Sequence, residues 1–426
     1  MTDRTRMPRR AFVKGAVAAG GAAALSACMA AETPSDEERL DLPTRPNELS
    51  ALPERQHAWN DHLPTDEHGN VVEPRHRVVL LLDYGGEGPP DAGDRETVER
   101  AFRSLERAYP RAGDGLLFTV SYSPYYFDRF DADLPVDLPK PAALASFEDP
   151  EFDDPDALVH LASNYGSVVL GAEAALLGER ETLNGVDVAA DLTGVFERRE
   201  RRTGFVGEGM PAERDDVEGV PEGAVPEDAP MYMGFESGFE KTQATEGAVT
   251  IPEGPFAGGT TQHLSAIDLH LDQWYEQDSR YHRVATMFCP VHAEENLVEG
   301  AGHNLGDSAR MDAEGCPAHA DEHANEYGTV GHSQKAARAR EDGQPQLIRR
   351  DFDSTDGGQA SLHFLSLQES IADFVRTREA MNGADLDSPA VGQRTNNGIL
   401  QYMTVTRRGN YLVPPRSKRA LPAPGR

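Results

Sequence analysis

Two stretches of this chain repeat one rhythm, apolar runs of strand length interleaved with runs of helical period, and that rhythm limits the fold more than any other feature. Arg77-Val78-Val79-Leu80-Leu81-Leu82 has the length of a strand. Between Asp94 and Ala108, apolar Val98, Phe102, Leu105 and Ala108 recur at helical spacing, and Leu116–Val120 is a second strand. Ala157–Ala162 reads as a strand, and Gly166–Leu177 as a helix rich in Ala, Leu and Val. Gln262–Leu271 alternates apolar and polar residues, and Ser361–Leu367 is strand-like. Ser370–Met381 sets Ile371, Phe374 and Val375 on one helical face, and Ile399–Thr406 alternates again. This order predicts an α+β fold of two ferredoxin-like halves, antiparallel sheets with helices, over residues 75–211 and 250–424. The segments 212–249 and 289–327 interrupt it as insertions, and loops that long are usually functional or mobile.

The first 28 residues read as an address, not as part of the fold. Arg9-Arg10-Ala11-Phe12-Val13-Lys14 is a twin-arginine export pattern, and the apolar run Ala16–Ala24 is too short for a transmembrane helix. Leu25-Ser26-Ala27-Cys28 resembles a lipobox whose cysteine sulfur takes a lipid. Residues 29–74, polar and rich in Pro, Asp and Glu, read as a flexible acidic tether. The expected location is the outer face of the cytoplasmic membrane, with the protein exported by the twin-arginine route and anchored through Cys28. That route carries folded proteins, which suits one that collects its cofactor beforehand.

Charge narrows the partners. The 426 residues carry 72 acidic and 41 basic side chains, a formal charge of −31, with the acids spread along the whole chain. Spread acids suggest a surface kept hydrated in concentrated salt, where long-range repulsion is screened. They exclude nucleic acid as a partner, since a phosphate backbone needs a basic footprint. Neither a Walker-type phosphate loop nor a G-x-S-x-G elbow is present, and Gly85–Pro90 is a turn by composition.

The last quarter carries a family likeness. Gly331-His332, then Leu347-Ile348-Arg349-Arg350-Asp351, the helix from Ser370, and Asn410-Tyr411-Leu412-Val413-Pro414-Pro415 together resemble the dye-decolorising peroxidases. The strand Thr261–Leu271 with Trp274 fits that family's middle region, so the resemblance runs from about Arg77 to Pro424 and suggests an exported member of haloarchaeal type. It implies a dimeric α+β barrel-like peroxidase unit holding haem b, with His332 as the iron ligand. It also implies that Arg350, eighteen residues on, is the distal arginine stabilising charge on the leaving peroxide oxygen; Arg349 takes that role if the register shifts by one. The family's distal aspartate lies in G-x-x-D-G, and here the matching stretch is Gly204-Phe205-Val206-Gly207-Glu208-Gly209. Either Glu208 reaches over the iron with a raised pKa, or the carboxylate is missing. The implied partners are hydrogen peroxide, an organic electron donor served directly or through Trp274, Tyr281 or Tyr402, and further copies of the chain. The alternative is a non-catalytic haem- or metal-binding lipoprotein for storage, sensing or delivery.

A second cluster stands apart from that likeness. Cys289-Pro290-Val291-His292 and Cys316-Pro317-Ala318-His319 repeat C-P-x-H, with His303 between and His323 after. Two thiolates and two imidazoles suit Zn²⁺ or copper. In an oxidising compartment the same cysteines favour a Cys289–Cys316 disulfide, which leaves the repeated histidines unexplained.

Overall fold

The computed structural model describes residues 42, 49–308, 310, 312 and 314–425; the export pattern and Cys28 lie outside them. Every residue but one of β1 (His76–Tyr84) is buried, because alternate side chains serve two cores. Val78, Leu80 and Leu82 pack with Phe102 and Leu105 of α1 (Ala92–Ala108) and with Val169 and Ala172 of α2 (Gly166–Leu176). Val79 and Leu81 instead join Leu158, Leu264, Leu365 and Tyr411, contributed by both halves of the chain. α1 starts on a capping box in which Asp91 accepts from the Gly93 and Asp94 N–H groups and Asp94 accepts from Asp91 N–H.

The first half supplies β1, β2 (Leu117–Tyr122), β3 (Ala157–Ser163) and β4 (Phe196–Phe205). The second supplies β5 (Thr260–Leu269), α3 (His332–Ala336), β6 (Ile348–Arg349), β7 (Phe352–Ser354), β8 (Ser361–Gln368), α4 (Ile371–Asn382) and β9 (Met403–Val413). Hydrogen bonding orders the strands β7-β4-β1-β3-β2-β9-β5-β8-β6, and β7 also pairs with β8, so the ten-stranded sheet closes into a barrel; the tenth strand, Glu151–Phe152, lies beside β9. The two halves meet along thin seams, Tyr122 against Leu412 and Phe205 against Asp353. This is the expected α+β architecture. No helix among the described residues is long and apolar enough to cross a membrane.

Three local expectations are corrected. β4 escaped the sequence reading because Glu197–Arg201 hides its pattern: Arg201 lies on Glu173, and Arg202 is buried against Asp153. β9 begins at Met403 and runs through Val413, while Leu400–Tyr402 forms a 3₁₀ turn. The tether does not extend to residue 74, for Gln56, His57 and Trp59 are buried. Trp59 donates its backbone N–H to Glu246, and the Arg350 guanidinium lies 4.2 Å from its ring centroid.

The C-terminal tail returns to the first half and is clamped there. Glu106 of α1 receives Arg416 at 2.7 and 2.8 Å and Arg419 at 2.5 and 3.1 Å, while Tyr122 Oη donates to Arg419 O. Burial pushes the Glu106 carboxyl up, but the two guanidiniums outweigh it and hold the group at about 2 against an ordinary 4.5. A depressed folded-state pKa contributes stability that is present above the unfolded value and lost as pH falls from 4.5 toward 2. Glu106→Gln is expected to lower neutral-pH stability by about 3 kcal/mol in urea unfolding and to flatten the acid limb. Coincident wild-type and variant acid limbs would assign that limb elsewhere.

Candidate active site

The outward face of β5 and β8, the helices α3 and α4 and the segment 231–239 enclose a cavity. Its wall is mostly apolar, with Met231, Met233, Phe235 and Phe239 on one segment, Ile267 and Leu269 on β5, and Phe374 and Met381 on α4. Thus part of the insertion 212–249 is a wall of the site. It is fixed from behind by Trp274, whose Nε1 donates to Met233 O, and by Tyr275, whose hydroxyl donates to Tyr232 O.

One extended segment delivers most of the polar groups. Alternation from Ile348 to Ser354 turns Ile348 and Phe352 into the barrel core and Arg349, Asp351 and Asp353 into the cavity. Arg349 donates from Nη2 to Thr242 Oγ1 at 2.8 Å. Asp351 accepts from Ser237 Oγ at 2.9 Å and Leu365 N–H at 3.1 Å; burial outweighs these bonds and the nearby Arg349 and raises its pKa to about 6. Asp353 accepts from Tyr232 N–H at 2.6 Å, yet burial, joined by the charge of Asp351, drives its pKa well above the ordinary carboxylate range. Burial thus raises both neighbouring carboxyls above the ordinary range.

His332, the first residue of α3, lines the same cavity. Burial, reinforced by Arg349, Lys335 and Arg378, holds its pKa at about 3, so the ring is neutral and keeps a lone pair. Among the described residues no group hydrogen-bonds that ring. α3 sits where it does because Gly331 has no side chain: a Cβ there would lie 1.8 Å from Phe288 O. Two further cations, Arg378 and Arg408, line the cavity and share Glu148, at 2.5 Å and at 2.8 and 2.9 Å respectively. The Nε–H of each is buried and unpaired.

These placements correct two assignments. Arg350 does not line the cavity; it is 1% exposed, stacks on Trp59, donates to His57 O and lies 3.6 Å from both Glu73 and Glu246. Counting from His332 missed this, whereas the strand's period of two shows it, since Arg350 shares parity with the core residues Ile348 and Phe352. Glu208 is exposed at a turn where Gly207 takes φ +129°, and no contact brings it to the cavity. The carboxyls that do line it, Asp351 and Asp353, went unnoticed in the sequence although R-R-D-F-D alternates charge with Phe352. Glu236 also lines the cavity and pairs with His303 at 3.3 Å.

The Cys/His cluster assembles only in part. Cys289 and Cys316 are joined in a disulfide, and His292 Nδ1 lies 2.9 and 3.5 Å from the two sulfurs. His319 stays outside, exposed and paired with Glu322 at 2.9 Å. Trp274 and Tyr402 are buried against each other with ring centroids 4.7 Å apart, and Tyr281 is 49% exposed.

This closed α+β barrel with helices has the fold of the dye-decolorising peroxidases. The chain is similar to a dye-decolorizing protein from V. cholerae (13% identity, 85% of this chain and 98% of that one, TM-score 0.52). It is also similar to the encapsulated DyP-type peroxidase from Mycobacterium smegmatis (14%, 85% and 99%, TM-score 0.53). A DypB variant from Rhodococcus jostii RHA1, solved in complex with heme, is similar at 13% identity over 82% of this chain and 96% of that one, with TM-score 0.52. No curated protein matches the chain by sequence. Residues 74–415 match the Family of unknown function (DUF7405), and the chain belongs to that family.

The two arginines should separate cleanly on substitution. Arg350→Leu removes a buried guanidinium and its bond to His57 O, while Glu73 keeps Arg77 and Glu246 keeps the Trp59 and Asn60 N–H groups, and it is expected to cost about 2–3 kcal/mol of stability in denaturant unfolding. Arg349→Leu, which removes a cavity-lining cation, is expected to cost under about 1.5 kcal/mol. Equal losses would contradict the assignment of the two side chains to different faces.

Proposed function

We propose that the cavity binds one haem b through His332 and that the protein oxidises an organic donor with hydrogen peroxide. The observation that carries this reading is a neutral imidazole, free of hydrogen bonds among the described residues, at the wall of a largely apolar cavity that also presents Arg349, Arg378 and Arg408. The unpaired Nε–H groups of Arg378 and Arg408 fit the same ligand, because a haem brings carboxylates that such donors would hold. Heme in the similar Rhodococcus variant supports the choice.

When bound, haem supplies a redox-active iron at which a peroxide O–O bond is broken. His332 would hold the iron through its ring nitrogen. Arg349, permanently cationic, stabilises negative charge arising on the departing oxygen. Asp351, ionised above about pH 6, accepts a proton from incoming peroxide and returns it to the leaving oxygen. Asp353, its pKa raised well above the ordinary range by burial, stands beside it. Arg349 and Asp351 thus take the parts that the family resemblance gave to Arg350 and Glu208. The apolar wall from residues 231–239 excludes water from the reacting atoms.

We further place the protein outside the cytoplasmic membrane of a high-salt organism, exported by the twin-arginine pattern and held by a lipid on Cys28. Cys28→Ser should move it from the membrane fraction to the medium, read by immunoblot; continued membrane retention would contradict the anchor.

The first measurement is the absorption spectrum of the protein supplied with haem, before and after His332→Ala. A Soret band that shifts or collapses in the variant supports the ligand assignment. A native protein that takes up no haem rules the reading out, and haem binding without peroxide turnover marks a carrier instead. Turnover should fall as pH drops through about 6, where Asp351 becomes protonated, and Asp351→Asn should remove that inflection while leaving the Soret band in place.

A further inference from the structure

The Cys/His insertion is built against the helix that carries His332. Gln334 of α3 donates its backbone N–H to Phe288 O at 3.2 Å and its Nε2 to Cys316 O at 2.7 Å. The same Nε2 lies 2.8 Å from His323 Nδ1, and Gln334 Oε1 accepts from Gly331 N–H. One residue, through its backbone and its side chain, therefore ties α3 to the residues around both cysteines.

At the centre of that contact, Cys289 Sγ, Cys316 Sγ and His292 Nδ1 all lie within 4.8 Å of one another, and all three residues are buried. His292 is 0% exposed. Its Nδ1 approaches both sulfurs, at 2.9 and 3.5 Å, while Nε2 lies 3.4 Å from Ser308 Oγ. A disulfide satisfies two sulfurs with each other and offers an imidazole only weak acceptors. It does not account for a wholly buried histidine aiming one nitrogen at both sulfurs. Three convergent soft donors, the histidine steadied through its other ring nitrogen, are what a metal requires.

We propose that, once an external dithiol has supplied the two electrons and two protons that convert the Cys289–Cys316 disulfide to two thiols, Cys289, Cys316 and His292 bind a thiophilic d¹⁰ cation with release of the thiol protons, and that the bound ion clamps the insertion against α3. The local sequence explains the ligand set. In the first C-P-x-H copy, Pro290 opens a short helix and returns His292 toward Cys289; in the second, His319 faces solvent beside Glu322. Among the described residues this leaves three protein donors, which fits Cu⁺ better than the four-coordinate habit of structural Zn²⁺. The site does not depend on haem in the cavity.

The test uses the full chain, purified anaerobically with a thiol reductant and without haem. Zn²⁺ and Cu⁺ are offered separately against a competing chelator, with native mass spectrometry reading bound metal and cysteine oxidation together. One ion per chain on two reduced cysteines is expected, bound more tightly as Cu⁺. His292→Ala keeps both sulfurs and should weaken binding by more than about 100-fold, beyond the effect of losing a mere outer partner. Cys316→Ser should abolish binding, and circular dichroism confirms that each variant is folded. Hydrogen exchange at α3 should slow when the ion binds wild type and stay unchanged in His292→Ala. Folded, reduced protein that takes neither ion overturns the proposal, as does a His292→Ala variant that binds like wild type. A disulfide that resists reduction in the folded protein overturns it as well.

Discussion

Closing a sheet into a barrel obliges every strand to divide its side chains between an inside and an outside, and the segment Ile348–Ser354 is where that division governs the rest of the molecule. Its register is pinned by backbone pairing on both sides. Ile348 opposes Leu367, Phe352 opposes His363, and Asp353 opposes Phe205 across one of the two seams joining the halves. A slip of one residue would bring Arg350 into the cavity and send Arg349, Asp351 and Asp353 into the core. The core forbids this, because Ile348 and Phe352 fill it and Arg350 is matched there to Trp59, Glu73 and Glu246. The chemistry of the cavity is thus set by packing on the opposite face of the same strand.

Much of the scaffold was legible in the sequence because its signals are local. β1, α1, β3, α2, β8 and α4 fall within a residue or two of the expected runs, each carrying its own apolar periodicity. β4 was hidden because arginine and glutamate occupy both of its faces, Arg201 meeting Glu173 on the helix side and Arg202 meeting Asp153 on the barrel side, partners distant in the chain. Trp59 was read as part of a tether because nothing adjacent to it announces burial. Its partners, Glu246 and Arg350, lie 187 and 291 positions away. His332 was legible through family likeness alone. Arg349 and Asp351 were legible in principle, by alternation, but an interval counted from His332 displaced that simpler rule.

The insertions were expected to interrupt the fold, and physically they complete it. A sheet face carrying Ile267, Leu269, Leu362 and Phe364 would lie open to water if only the regular elements were present. Met231, Met233, Phe235 and Phe239 from one insertion cover it, and the 289–327 segment braces α3 through Gln334. Covering a binding face with irregular chain rather than with another strand leaves a cavity, because loops fill the space above a pleated surface less regularly than a packed layer does.

Charge separates the outside of the molecule from the inside. The formal charge is −31, yet Arg77, Arg202, Arg350, Arg378, Arg408 and Arg419 are all buried. The acids that reach them are shared, Glu106 between Arg416 and Arg419 and Glu148 between Arg378 and Arg408. The interior therefore holds cations matched with buried acids, while the net excess of acids over bases lies outside. Salt acts on these two populations differently. At about 1 M the screening length is roughly 3 Å, short enough to quench repulsion between exposed carboxylates but irrelevant to hydrogen-bonded pairs from which solvent ions are excluded. The cavity's Arg349, Arg378 and Arg408 would then keep their attraction for an anionic ligand group under salt that silences the surface. Selection of the proposed ligand would rest with those arginines, and any demand for salt with the acidic exterior.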